Sequence, residues 1–290
     1  MGDRQDTQWF RSQPLAYADV GTADVAYRRI GSGPPLLMIH GWPFSSLSFR
    51  AVARRLAERF TCILPDTPGL GETRWRDDTP FAFARQAATL KAFVDRLGLD
   101  RYALLGHDTG GTLARLMALS DRERAGRLVI MNTEMPGHRP PWIPLYQRLA
   151  ALPLTATCFG LMLRSLAFRR SGLAYGPCFD DPRLLDDDFL DCFVAPLVAS
   201  PRRVEGVMRY LRGIDWALID GLAERHRELM HGVLLIWGAR DTVFPVAHAR
   251  GMLSQFQADT RLHEVPDARF LVHEERPQAV AETVAQFLLH

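Results

Sequence analysis

Apolar and polar positions along the chain follow two rhythms. Leu15–Val20 and Ala23–Ile30 alternate apolar with polar residues on either side of Gly21-Thr22, which predicts a strand pair. Leu36–Ile39 is a short continuous apolar run that reads as a strand buried on both faces. Thr61–Leu64, Tyr102–Leu105, Arg127–Met131, Val233–Trp237 and Arg261–Val265 read as the further strands. Between them lie amphipathic helical patterns: about Ser46 to Arg59, Phe81–Leu97 closed by Gly98, Thr109–Leu119, Val246–Phe256 and Pro277–Leu289. Strands alternating with helices predict an α/β fold with a mostly parallel, doubly wound sheet.

From about Met135 to Leu229 the rhythm breaks. This stretch carries several prolines, helical apolar patterns and no buried strand pattern. We expect a helical lid inserted after the sixth strand. It would sit over the carboxyl ends of the strands, where open α/β sheets bind ligands. The expected division is a core of residues 1–134 and 230–290 and a cap of residues 135–229.

Composition narrows the function classes. A chain of 290 residues that is 47% hydrophobic can bury a large core. Net charge is +2, from 35 basic and 33 acidic residues, so nothing points to nucleic acid or an acidic membrane surface as partner. The pairs Arg169-Arg170 and Arg202-Arg203 read as solvated helix faces. Four cysteines (Cys62, Cys158, Cys178, Cys192) form no C-x-x-C pair, which fits incidental thiols in a reducing compartment. Met1 to Pro14 is polar, without the apolar core of a signal peptide, and no apolar run approaches the ~18 residues of a membrane span. The expectation is a soluble, cytoplasmic protein. No cofactor is expected: the glycine clusters lack phosphate-cradling spacings, and no histidine–carboxylate cluster has metal-ligand spacing.

The most informative stretch is Leu104-Leu105-Gly106-His107-Asp108-Thr109-Gly110-Gly111, an apolar run that breaks on glycines around one carboxylate. It reads as strand, sharp turn and helix, the setting of the Gly-x-Ser-x-Gly elbow, with Asp108 where serine would stand. A carboxylate there points to attack on an alkyl carbon and an alkyl-enzyme ester. An aspartate merely capping the helix would not need Gly106, Gly110 and Gly111 around it. The helix N-terminus is expected to keep Asp108 ionised.

Four motifs in order carry a family resemblance: His40-Gly41-Trp42-Pro43, Asp66-Thr67-Pro68-Gly69-Leu70-Gly71, the Asp108 elbow, and the late pair Asp241 and His273. From about residue 15 to 290 the chain resembles the epoxide hydrolase and haloalkane dehalogenase branch of the α/β-hydrolases. The resemblance implies Asp108 as nucleophile and His273 as the base that activates water. It implies Asp241 as the acid orienting that base, with Glu134, just past the Arg127–Met131 strand, as the alternative. The His40 loop resembles the family's oxyanion loop, where the backbone N–H groups of Trp42 and Thr109 would face the ester carbonyl.

The leaving group is less constrained. An epoxide departs as an alkoxide and needs a proton donor. Epoxide hydrolases resemble one another in supplying lid tyrosines, and here Tyr210 is the first choice, with Tyr146 and Tyr175 as looser ones. A halide needs N–H donors. Haloalkane dehalogenases resemble one another in a tryptophan after the nucleophile, and fluoroacetate dehalogenases in arginines there, where this chain has Thr109. His138, Arg139 and Trp142, near the lid's start, form a possible anion site. Epoxide opening to a vicinal diol is the leading expectation, and dehalogenation of a haloalkane or haloacid is the alternative. A binding protein on the same fold that no longer turns over is the third reading. The expected partners are a small apolar organic substrate and water.

Overall fold

The computed structural model describes residues 4–152 and 154–290. A single sheet contains β1 (Ala16–Asp19), β2 (Ala23–Ile30), β3 (Pro35–Ile39), β4 (Thr61–Pro65), β5 (Arg74–Trp75), β6 (Tyr102–His107), β7 (Ala125–Met131), β8 (Val233–Gly238) and β9 (Thr260–Val265). Its order is β1-β2-β4-β3-β6-β7-β8-β9, with the short β5 also paired to β2. The pairings of β2 with β1, β4 and β5 are antiparallel. Every pairing from β4 through β9 is parallel, as continuous apolar strands require.

From β3 the chain first moves outward to β4 and then returns to β6 on the other side. This reversal places a crevice beyond the carboxyl ends of β3 and β6, the position where such sheets hold ligands. The residues after those two ends are the His40 loop and Asp108.

Helices α1 (Arg4–Ser12), α2 (Arg50–Leu56), α3 (Phe83–Arg96) and α4 (Thr109–Ser120) precede β7. The stretch from β7 to β8 contains α5 (Trp142–Leu149), α6 (Thr155–Leu163), α7 (Leu166–Arg170), α8 (Asp187–Phe189), α9 (Pro201–Arg212) and α10 (Trp216–Arg225), and no strand among the described residues. Then follow α11 (Val246–Met252), α12 (Val272–Glu275) and α13 (Pro277–Leu289). Among the described residues no helix is long and apolar enough to cross a membrane.

Two features depart from the sequence reading. Helix α1 lies where no element was expected. Its few apolar residues suffice because Phe10 is buried under the Arg28 guanidinium, and Asp6 pairs with Arg54 at 3.1 Å. Arg169 is not solvated but buried, donating to the carbonyls of Leu163 and Arg164, so it ties the turn before α7 instead of facing water.

Candidate active site

Asp108 sits at the junction of β6 and α4 with φ 54° and ψ −129°, a backbone conformation that costs a non-glycine residue ~1–3 kcal/mol. The surroundings enforce it. Its N–H is shared between the carbonyls of Met131 and Asn132, and its carbonyl accepts from Thr133 Oγ1 at 2.6 Å and Gly111 N at 2.8 Å. The neighbouring glycines are needed for close approach. A Cβ on Gly110 would lie 2.0 Å from the Ile39 carbonyl oxygen, and one on Gly41 would lie 2.4 Å from Asp108 Cβ.

The Trp42 backbone N–H donates to Asp108 Oδ2 at 2.9 Å and is shared with Thr109 Oγ1 at 3.0 Å. The Thr109 N–H also faces the carboxylate. These two donors lower the Asp108 pKa, but burial and the nearby Glu134 push it further the other way, well above the usual carboxylate range. Desolvation and like charge therefore outweigh the helix terminus invoked from the sequence.

Glu134 belongs to a buried polar cluster. Thr112 Oγ1 donates to its Oε2 at 2.7 Å, and Thr133 Oγ1 lies 3.2 Å from the same oxygen. Arg115 sits beneath with no solvent exposure and donates from Nη2 to Thr112 Oγ1 (2.8 Å), Thr133 Oγ1 (3.1 Å) and the Glu134 carbonyl (2.7 Å). Burial lowers the Arg115 pKa to about 10 and raises that of Glu134, while the two charges favour each other.

A cavity of about 90 Å³, open to solvent at its mouth, is lined by Asp108, Thr109 and Glu134. Trp42, Trp142, Tyr146, Tyr175, Phe244 and Phe270 supply much of its wall. The Tyr175 hydroxyl is buried and has no hydrogen-bond partner. The Tyr146 hydroxyl is committed to the Leu173 carbonyl at 2.7 Å. The indole N–H of Trp42 is spent on the Val207 carbonyl at 2.9 Å.

Several residues expected to converge do not. His273, in α12, is fully buried, and neither ring nitrogen has a hydrogen-bond partner. It packs against Phe49 and His107, with ring centroids 4.9 and 4.4 Å away, because α12 turns this position into the core. The loop residue lining the cavity on that side is Phe270, whose carbonyl accepts from His107 Nε2 at 2.9 Å. Asp241 accepts from Asn132 Nδ2 at 2.7 Å and from the N–H groups of Val243 (2.7 Å) and Phe244 (3.1 Å). Burial nevertheless drives its pKa up to about 7. It anchors a turn and is not bonded to His273.

Tyr210 is fully buried, its hydroxyl donating to Thr109 Oγ1 at 3.1 Å behind the cavity wall. His40 is likewise internal: Nδ1–H donates to the Gly41 carbonyl at 3.1 Å, and Nε2 accepts from Thr67 N–H at 3.1 Å. It braces the two loops and does not line the cavity. His138 donates to the Val243 carbonyl at 2.9 Å, and Arg139 pairs with Asp220, so the suggested anion site with Trp142 does not form. The sequence reading missed Arg115, Thr112, Thr133 and Phe270. Of these only Arg115 left a signal, as a lone charge inside the apolar helix Leu113-Ala114-Arg115-Leu116-Met117.

A parallel sheet whose switch point presents a strained, N–H-bonded carboxylate to an apolar cavity defines the hydrolase class of α/β protein. The family model described as alpha/beta hydrolase fold matches residues 34–277, and the chain belongs to that family. Haloalkane dehalogenase 2 of Mycobacterium tuberculosis (strain ATCC 25618 / H37Rv) is 25% identical, over 97% of this chain and 94% of that protein. Soluble epoxide hydrolase of Corynebacterium sp. (strain C12) is 40% identical over 106 residues, 37% of each chain. Among solved structures, an alpha/beta hydrolase fold protein from Burkholderia ambifaria superposes with a TM-score of 0.77 at 24% identity, covering 93% of this chain and 99% of that one. Epoxide hydrolase CorEH without ligand does so with a TM-score of 0.77 at 22% identity, covering 95% and 98%. The protein is a hydrolase.

Proposed function

We propose that this hydrolase opens a small apolar epoxide to a vicinal diol through an alkyl ester on Asp108. One observation carries the reading: Tyr175, whose buried hydroxyl has no hydrogen-bond partner, is one of the residues lining the same apolar cavity as Asp108. A buried phenol without an acceptor is a donor held in reserve. Burial raises its pKa, so it stays protonated until a strong base develops beside it.

In the first step an Asp108 oxygen bonds to a ring carbon, the ring C–O bond breaks, and the departing alkoxide takes the Tyr175 proton. In the second, water adds to the ester carbonyl. The oxyanion that forms is met by the N–H groups of Trp42 and Thr109, collapses, and releases the diol. Residues 135–229 act as the cap on a core of residues 1–134 and 230–290. Trp142, Tyr146 and Tyr175 of that cap line the cavity, as does Phe244 of the core.

Halide departure is the second reading, favoured by the indole of Trp142 on the cavity wall and weakened by the commitment of the Trp42 indole to Val207. The test is repeated turnover of styrene oxide and 1-bromobutane in ¹⁸O-labelled water, followed by mass analysis of the peptide holding Asp108. The expected result is diol formation with label in that peptide. Diol formed with no label in Asp108 refutes the ester, and turnover of the bromoalkane alone refutes the epoxide reading.

A further inference from the structure

The second step needs a base, and His273 is not placed to be one. It is buried away from the cavity with both nitrogens unpartnered, while Phe270 occupies the wall on that side. We propose that Glu134 is the general base for hydrolysis of the Asp108 ester, and that ester formation itself switches it on. The inference rests on the proposed ester.

The geometry gives Glu134 three properties. It lines the cavity together with Asp108, so a water between them can reach both. Its Oε2 accepts from the neutral hydroxyl of Thr112, with Thr133 Oγ1 at 3.2 Å from the same oxygen. It is backed by the Arg115 cation, which steadies its ionised form without bonding the carboxylate directly. The charged and titratable groups around it are Asp108 at the elbow, Arg115 of α4, His226 behind Arg115, and Tyr210 of α9.

In the free enzyme two buried carboxylates face each other, and each disfavours ionisation of the other. Alkylation of Asp108 removes one negative charge. The like-charge penalty on Glu134 disappears, and Glu134 ionises as the Tyr175 phenolate left by the first step takes up a proton. Water then attacks the Asp108 carbonyl carbon while its proton passes to Glu134. The tetrahedral oxyanion re-forms the carbonyl, the bond from the Asp108 carboxyl carbon to the alkyl oxygen breaks, and Glu134 returns the proton to the departing alkoxide. Asp108, released as the acid carrying the water's second proton, passes that proton to Glu134, which restores the free enzyme.

The experiment compares wild type, Glu134→Gln, His273→Gln and Asp108→Asn by rapid quench and intact mass with styrene oxide. Glu134→Gln is expected to form the adduct at least as fast as wild type. It should lose the adduct ~10²–10⁴-fold more slowly, the scale of a missing general base. His273→Gln should turn over within a fewfold of wild type. For a readout independent of folding of the glutamine variant, Thr112→Val removes a donor to Glu134 Oε2. It should move the ascending limb of the kcat–pH profile to higher pH. The proposal is overturned if His273→Gln accumulates adduct and Glu134→Gln does not. It is also overturned if wild type itself traps adduct without release, or if the Thr112→Val limb stays in place. Turnover that survives Asp108→Asn, with no adduct in any variant, overturns the ester reading itself.

Discussion

Replacing Arg115 with methionine keeps an unbranched chain of similar volume in α4 but removes a fully buried cation. Two effects compete. Holding the guanidinium in the interior depresses its pKa from 12.5 to about 10. That is a penalty of roughly 3 kcal/mol which methionine relieves. Against it stand hydrogen bonds to the Gly111 carbonyl, Thr112, Thr133 and the Glu134 carbonyl. Bonds from a charged donor contribute ~1.5–3 kcal/mol each, so the losses win. The net cost of leaving Glu134 buried without its cation should be about 3–5 kcal/mol. The Tm then falls on the order of 10 °C, given ~2–4 °C per kcal/mol in larger domains. Adding Glu134→Gln removes the stranded charge and should return ~1–2 kcal/mol, a coupling visible only between groups in one network. Urea unfolding of the four proteins at neutral pH measures both quantities. The reasoning fails if Arg115→Met lies within ~1 kcal/mol of wild type, or if the two substitutions add.

Tyr175→Phe removes an unpartnered buried hydroxyl. It should raise stability by ~1 kcal/mol while slowing adduct formation from an epoxide ~10²-fold; a variant equally active and less stable contradicts this. The His273 pKa is depressed by burial, so below pH 6.5 the unfolded chain takes up a proton that the folded chain refuses. Stability is therefore lost as pH falls from 6.5 toward the folded value, and His273→Leu should flatten thermal unfolding between pH 6 and 4 by up to ~1.4 kcal/mol per unit. His107 and His226, depressed to about 3, keep part of the slope in that variant. An unchanged slope would place the His273 ring in water. Gly41→Ala puts a methyl 2.4 Å from Asp108 Cβ. It should cost ~1–3 kcal/mol and abolish the adduct, with full activity as the refuting outcome.

The sheet was legible because each buried strand is written as a short, largely apolar run, and β3, β4 and β6 to β8 all read that way, while the edge strand β9 alternates polar with apolar residues. The elbow was legible for a related reason: close backbone packing at Ile39–Gly110 admits only glycine, and glycines show in a sequence. Helix α1 was not, since its buried face is mainly one phenylalanine and one ion-paired aspartate. The partners of Asp108 were read only in part. His273 and Asp241 stand in the expected order along the chain, but order does not fix which residue of a loop faces a cavity. One helical turn at α12 sends His273 inward and leaves Phe270 on the wall. Tyr210 and Tyr175 differ in the same way, by whether a neighbour such as Thr109 satisfies the hydroxyl.

Helix α9 is fastened to the loops that follow β3, β4 and β5 and to the start of α4. Arg203 bonds the Gly71 carbonyl, Val207 holds the Trp42 indole, Arg209 reaches the Asp77 carbonyl, and Tyr210 grips Thr109. Helix α5 is different: the side-chain bonds of Tyr146 and Gln147 run to Leu173, Leu211, Ile214 and Trp216, all in the β7–β8 insert. Its Leu145 is 52% exposed, and Leu161 on α6 is 62% exposed. Around the cavity, α9 is therefore tied to loops outside the insert, whereas these α5 side chains are tied only within it. On the proposed reading, the apolar reactant and its more polar product would share the α5–α6 side as their doorway. Crossing that side costs the elbow none of its own bonds.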